Sequence, residues 1–97
     1  MRRANSDWYA LNDKGSFRVP IFHSSSSAMT ARMQDSGMKC FRPVLLDEPA
    51  FRDLTTTDGG KASFWLITDP LLRLSRGRLL DHHELEAVWR EREGKVA

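Results

Sequence analysis

Three histidines are the first side chains to consider for chemistry, because imidazole is the group that titrates near neutral pH. His23 stands between a predicted strand and a predicted helix, a position at which loops often hold ligands. A hydrogen bond from His23 to the local backbone is the simpler interpretation, and we favour it. His82 and His83 fall in the first turn of a predicted C-terminal helix, where the positive end of the helix dipole disfavours their protonation.

The remaining candidates do not indicate metal or nucleophile chemistry. A structural metal site needs about four converging ligands, and neighbouring histidines on a helix point roughly 100° apart. The single cysteine, Cys40, is interpreted as a small core residue of a strand, and alone it can form no internal disulfide. Residues 24–27 are serines beside His23 but lack a G-x-S-x-G elbow, and residues 59–61 lack the spacing of a P-loop. We therefore predict no catalytic residue, no metal and no resident cofactor.

A basic cluster in the stretch LLRLSRGRLL is the strongest candidate for contact with a partner. Arg73 and Arg76 are three residues apart and fall on one side of a turn, and Arg78 follows the next glycine. Guanidinium groups placed in this way can hold phosphates or acidic side chains. The alternative is a solvated face, which we favour. No aromatic residues are interleaved with the arginines, so a platform for stacking single-stranded nucleic acid is not indicated.

Length and composition allow one small domain. The chain has 97 residues, of which 40% are hydrophobic and 29% charged, and its net charge of +2 is too small to predict nucleic-acid binding by itself. We expect a flexible N-terminal arm over residues 1–16 and a single small domain over residues 17–97. No apolar run approaches the length of a membrane span, and the first ten residues lack the apolar core of a signal peptide, so the expected location is the cytoplasm.

The first predicted strand covers residues 16–22. Phe17, Val19 and Ile21 alternate with more polar positions, which is typical of a strand with one buried face. Pro20 has no backbone N–H to give to a ladder, so it predicts either an edge strand or an outward-facing position.

A helix and a second strand are predicted next. The serines at residues 24–27 can cap a helix over residues 28–36, and Gly37 would end it in the left-handed conformation. Residues 38–46 alternate in a way compatible with a strand that Pro43 interrupts.

The central part of the chain predicts a short helix and a buried strand. Asp47, Glu48 and Pro49 open a predicted helical segment that runs to Leu54, since proline suits the first turn of a helix, and residues 55–61 are a turn signal. Residues 62–68 include a continuous apolar run, which predicts a central strand covered on both faces.

Two helical segments are predicted after the central strand. Pro70, preceded by an aspartate that can act as a cap, would open a short helical turn that Gly77 ends. Asp81 and Glu84 form a capping-box pattern at the start of a C-terminal helix over residues 81–93. The expected fold class is therefore α+β, with a small mixed sheet of about three strands covered by helices.

Two stretches resemble ADP-ribosyltransferase-like folds. Phe22-His23-Ser24-Ser25 leads through a helix to Gly37-Met38, and residues 60–70 read GKASFWLITDP, similar to an aromatic-rich strand before T-D-P. The resemblance implies that His23 and Ser25 contact the nicotinamide-side ribose and amide of NAD. Members of that family carry a catalytic glutamate on a further strand, whereas here the segment after residue 70 is predicted to be helical. The resemblance therefore implies a reduced, non-catalytic NAD-binding relative.

The sequence leaves three functions open. The favoured one is a small non-enzymatic interaction module that binds a protein partner as an adaptor, regulator or inhibitor. Small phage and mobile-element proteins that act on host complexes are often of this kind. The second is the reduced NAD-binding domain, and the third is a nucleic-acid binder that uses Arg73, Arg76 and Arg78.

Overall fold

The computed structural model describes residues 1–5, 7–13, 15–91 and 94–97. The elements follow one another as β1 (Leu11–Asp13), β2 (Ser16–Ile21), α1 (Ser25–Gln34), a 3-10 turn (Ser36–Met38), α2 (Glu48–Thr56), a second 3-10 turn (Thr57–Gly60), β3 (Ser63–Ile67), β4 (Gly77–Leu80) and α3 (His82–Glu91).

The strands form one mixed sheet in the order β1-β2-β3-β4. β1 and β4 each run antiparallel to their neighbours, while β2 and β3 run parallel to each other. The predicted α+β class with a mixed sheet is therefore confirmed, although the sheet has four strands rather than about three. β3 is central, as its continuous apolar run predicts.

The two faces of the sheet carry separate apolar clusters. On one face, Val19, Phe64 and Leu80 pack with Leu54 of α2 and Leu85 of α3. The opposite cluster joins α1 to the sheet, and its buried members include Phe22, Ala28, Ala31, Met38 and Ile67. Helices therefore cover both faces, which explains why β3 needs apolar side chains on both sides.

β2 departs from its predicted edge position. Val19 and Ile21 are fully buried as expected, but Phe17 is 43% exposed. β2 lies between β1 and β3, and Pro20 is buried, so the prediction of an edge strand or an outward Pro20 is wrong. The sheet tolerates proline there because β1 pairs with β2 only as far as Arg18, and no strand among the described residues lies beyond that point to require an N–H.

The predicted strand over residues 38–46 does not form. Met38 belongs to a 3-10 turn, and the rest makes only single bridges, from Arg42 to Arg2 and from Leu45 to Val96. Cys40 is exposed, so its interpretation as a core residue is also wrong. Pro43 removes a donor in the middle of the segment, which prevents a continuous ladder.

α1 begins and ends earlier than predicted. Ser24 caps it by accepting a hydrogen bond from the Ser27 N–H at 3.1 Å, so the serine cap is confirmed. The helix ends at Asp35, whose backbone is extended, and not at Gly37. The Asp35 carboxylate accepts a hydrogen bond from the Gly37 N–H, and this bond starts the 3-10 turn. The exposed side of α1 carries Met33, which is 84% exposed.

The other two helices begin within one residue of their predicted starts, although α2 runs to Thr56 rather than ending at Leu54. Asp47 caps α2 by accepting from the Ala50 N–H at 3.0 Å. The capping box before α3 is present, since Asp81 accepts from the Glu84 N–H at 2.8 Å and Glu84 accepts from the Asp81 N–H at 3.4 Å. The last two residues of the predicted helix, 92 and 93, lie outside the described residues.

The segment after Pro70 is not helical, which corrects the prediction. Residues 70–76 form turns, and Gly77 opens β4 instead of ending a helix. The leucines and arginines of this stretch have good helix propensity, but pairing with β3 outweighs it.

The flexible arm predicted for residues 1–16 stays a prediction, and residues 6 and 14 lie outside the described residues. The described part of the range makes tertiary contacts: Met1 is 1% exposed, Arg2 bridges Trp8 and Arg42, and β1 belongs to the sheet.

A candidate partner-binding edge

β4 is an edge strand whose outer side faces no other described strand. The Thr68 N–H donates to the Arg76 carbonyl at 3.5 Å, which makes that pair a hydrogen-bonded one. Pairing alternates along an antiparallel ladder, so the backbone N–H and C=O groups of Gly77 and Leu79 point away from β3. No described residue forms a backbone hydrogen bond with the outward N–H and C=O groups of Gly77 and Leu79.

Gly77 allows an indole to lie across this edge. The Trp65 Nε1–H donates to the Leu74 carbonyl at 2.9 Å, which holds the ring over β4. A Cβ at residue 77 would lie 2.6 Å from Trp65 Nε1 and 2.6 Å from the Leu66 carbonyl oxygen. The space that a side chain would fill is therefore already occupied by the indole.

An apolar stripe runs beside the free edge. Leu79 is directly opposite Trp65 in the ladder, so the two side chains share a face, and Leu79 is 48% exposed. The Arg18 guanidinium lies 5.1 Å from the centre of the Trp65 ring, within range of a cation–π contact. The stripe thus combines an apolar surface with positive charge.

The loop before β4 is held by a buried carboxylate. The side chain of Asp69 is only 3% exposed, and it accepts hydrogen bonds from the N–H groups of Leu71 and Arg73 and from Arg73 Nε at 2.5 Å. The hydrogen bond from the Arg73 guanidinium is the main reason why the pKa of the Asp69 carboxyl lies below its ordinary value. The same bonds hold Leu72 at φ 60°, a conformation that side-chain-bearing residues rarely adopt.

The three predicted arginines have different surroundings. Arg73 is paired with Asp69, and Arg78 Nη1 lies 3.9 Å from Glu84 Oε2, at the outer limit of an ion pair. The exposed Arg76 forms an ion pair with no described residue. A shared contact of the three arginines with a partner stays a prediction, and of the three only Arg76 and the loosely held Arg78 can readily turn toward one.

The histidines and Ser25 lie elsewhere. His23 and Ser25 are exposed at the junction between β2 and α1, and neither lines a groove described here. His82 is half-buried, its ring centre is 5.4 Å from that of Phe64, and its Nε2 lies 3.3 Å from the Ala62 carbonyl oxygen, an acceptor. His82 is thus a packing residue.

Two surface grooves lie apart from this edge. One, of about 520 Å³, is lined by rings that include Trp8 and Tyr9, with Phe41 5.3 Å from Tyr9 between ring centres. The other, of about 630 Å³, lies beside Leu45 and Trp89. Neither contains a charged group without a described partner that would specify a ligand.

Within the ranges that the structure describes, no three His, Cys, Asp or Glu side chains converge as metal ligands would. No described helix combines the length and the apolar character needed to span a bilayer.

The sequence contained a weak signal for β4 that was missed. In R-G-R-L, residues 76–79, charged and uncharged positions alternate with period two, as they do in the strand. Four residues are too few to distinguish this pattern from a helical turn, and the leucines around it favour the helical interpretation. The outward direction of the Gly77 and Leu79 backbone depends on the register with β3, which no local pattern specifies.

Comparison of the chain with protein-family models, curated proteins and solved structures finds no match.

Proposed function

We propose that the chain is a small protein-interaction module that binds an extended segment of a partner protein along the free edge of β4. The observation that carries the proposal is the row of outward backbone groups at Gly77 and Leu79. Such a row is a template for a further strand, and strand addition is a common way of binding peptides. The module would act as an adaptor, regulator or inhibitor according to the protein that supplies the strand.

The composition of the edge supports a binding role. Proteins commonly protect a free edge by keeping it short or placing charges on it, and β4 has both features, with four residues and Arg78. Protection alone does not require exposed leucines. Leu79 is 48% exposed and Leu71, in the preceding loop, is 63% exposed. Apolar side chains beside unpaired backbone groups favour an edge that a partner covers.

The other two functions have less support in the geometry. Arg73 already has a carboxylate partner, which reduces the positive charge available to phosphates. The strand that follows Pro70 reads G-R-L-L and carries no glutamate, so the resemblance to ADP-ribosyltransferase-like folds still implies at most a non-catalytic relative.

The test uses a proline that blocks only the outer side of β4. The Leu79 N–H points away from β3, so Leu79→Pro should leave the β3–β4 ladder intact while it removes a donor needed by an added strand. Leu79→Ala is the matched control, because it shortens the side chain but keeps the N–H. Circular dichroism and urea unfolding establish that both variants are folded.

Binding is measured with peptides selected against the wild-type chain from a random displayed library. We expect the selected peptides to bind the Leu79→Ala variant and to lose at least about tenfold in affinity for Leu79→Pro. On binding, the amides of Gly77 and Leu79 should become protected from hydrogen exchange. Peptides that bind Leu79→Pro equally well, peptides that protect other amides, or a library that yields no binder would each contradict the proposal.

A further inference from the structure

Resting on the proposed function, we infer that the segment bound by β4 alternates acidic and apolar residues, with the acidic ones opposite Arg76 and Arg78. The apolar ones then stand opposite Gly77 and Leu79, on the face of the sheet that carries Trp65. This inference goes beyond edge binding, because it specifies the charge and the register of the partner strand.

The arginines first argue against a second copy of the chain as the occupant. When two β4 strands pair antiparallel so that Gly77 of one bonds to Leu79 of the other, Arg78 stands directly opposite Arg78. When Gly77 instead stands opposite Gly77, Arg76 stands opposite Arg78. Like charges directly opposite each other destabilise a strand pair. These two registers therefore oppose self-association, and the remaining one, with Leu79 opposite Leu79, places Gly77 opposite Asp81, which lies outside β4.

The same positions favour a partner of opposite charge. Arg78 is opposite Leu66 in the ladder, so its side chain projects on the face that α3 covers, and it is 57% exposed. Its present partner, Glu84, is 3.9 Å away and 46% exposed, so a carboxylate on an added strand can replace or join it at little cost. Arg76 lies two residues earlier and forms an ion pair with no described residue. Acidic residues spaced by two on the added strand would therefore meet both guanidinium groups.

The opposite face of β4 selects apolar residues between the acidic ones. Leu79 and Trp65 share this face, and the indole covers the space above Gly77. A side chain opposite Leu79 would cover its exposed half, and one opposite Gly77 would pack on the indole. Since strand side chains alternate between faces, one partner strand can satisfy both faces only if its residue types also alternate.

Three synthetic peptides of ten residues separate charge from backbone pairing. Each places valine at every second position, and the intervening residues are glutamate, threonine or lysine. Calorimetric titration at low and high salt should rank the glutamate peptide first and the lysine peptide last. We expect the advantage of glutamate over threonine to be about fivefold or more at low salt, and to shrink as salt screens the charges.

Charge reversal then identifies the residues that recognise the partner. Arg76→Glu and Arg78→Glu should each remove most of the preference for the glutamate peptide, because one arginine and one glutamate then face the added strand, and the double variant should bind the lysine peptide more tightly than the glutamate peptide. Arg52→Glu is the matched control, because Arg52 lies on α2, away from β4, and its side chain is 76% exposed. The control should keep the wild-type ranking. Arg76→Glu removes no described ion pair, so it tests the inference even if Arg78→Glu disturbs α3.

The outcomes distinguish this inference from the proposed function. If the glutamate and threonine peptides bind equally well, and if Leu79→Pro abolishes the binding of both, the proposal of edge binding stands. The inference that the partner strand is acidic would then be overturned. Failure of all three peptides, while other library peptides protect Gly77 and Leu79, would also overturn it. A dimer at micromolar concentration that Leu79→Pro dissociates would show that a second copy is the occupant. Binding of single-stranded DNA that needs Arg76 and Arg78, without binding of the glutamate peptide, would replace the partner strand with a nucleic acid.

Discussion

Replacing Gly77 with alanine should destabilise the sheet, because the added methyl group has no space. The new Cβ would lie 2.6 Å from the Leu66 carbonyl oxygen and 2.6 Å from Trp65 Nε1, where ordinary contacts begin at 3.4 Å. Either β4 moves away from β3 by several tenths of an ångström, or the indole turns off the strand. The second movement breaks the hydrogen bond from Trp65 to the Leu74 carbonyl.

The expected loss follows from these two movements. Overpacking a fitted site costs about 1–3 kcal/mol, and a lost hydrogen bond of this kind costs about 1 kcal/mol. The free energy of unfolding should therefore fall by about 1–3 kcal/mol if β4 moves and by up to about 4 kcal/mol if the indole turns, a large part of the roughly 5–15 kcal/mol that stabilises small domains. In a domain of this size, each kcal/mol lowers the Tm by roughly 4–8 °C.

Urea unfolding followed by far-ultraviolet circular dichroism measures this loss, with Gly37→Ala as the control. The backbone at Gly37 is not left-handed, and its Cβ would meet a carboxylate oxygen of Asp35 at 3.1 Å, the end of a side chain that can move. The control should cost less than about 1 kcal/mol. In a Trp65→Phe background, Gly77→Ala should cost less than in the wild type, because part of the clash is gone while the Leu66 oxygen remains. Equal losses for Gly77→Ala and Gly37→Ala would refute the argument that the indole occupies the space above β4.

Three further predictions concern ionisable and capping groups. Burial lowers the pKa of the Met1 amine from 8.0 to about 5, so between those pH values the unfolded state binds more protons and stability should rise with pH. The rise should reach at most about 4 kcal/mol across that window, and acetylating the amine should flatten it in pH-dependent urea unfolding. The pKa of Asp69 is lowered below 3.8 chiefly by the Arg73 hydrogen bond, so its stabilising contribution is present above pH 3.8 and is lost as the pH falls through the folded-state pKa. Asp69→Asn should therefore lower stability at pH 7 and reduce its decline in acid, whereas an unchanged acid profile would contradict the role of this pair. Asp47→Ala should lower the free energy of unfolding by about 0.5–2 kcal/mol, because the Ala50 N–H loses its acceptor, and recovery by Asp47→Ser but not by Asp47→Leu would distinguish capping from packing.

Local chemistry was enough to predict several elements from the sequence. Asp47 and Asp81 stand directly before helices, and each accepts a hydrogen bond from a nearby N–H within its own helix. Ser24 does the same for α1. A cap and its helix lie within four residues of each other, so the interaction that determines them is visible in the sequence. The same holds for β3, whose apolar run reflects burial on both faces.

The errors fall where distant residues decide the structure. The residues around Gly77 favour a helix by propensity, but β3 provides hydrogen-bond partners and Trp65 provides an indole that only a glycine can accept. Pro20 similarly suggested an edge strand, and the sheet accommodates it because β1 is short. The candidate site depends on both kinds of information: the arginines were found by their spacing, whereas the edge beside them was not.

The α+β class, the caps at Ser24 and Asp81 and the central strand follow from residues close together in the chain, so sequence patterns are enough to predict them. By contrast, the place of residues 77–80 in an edge strand and the outward direction of the Gly77 and Leu79 backbone are visible only in the folded chain. Strand pairing and its register are set by hydrogen bonds between segments far apart in sequence, and these bonds outweigh the local preference of a leucine- and arginine-rich stretch.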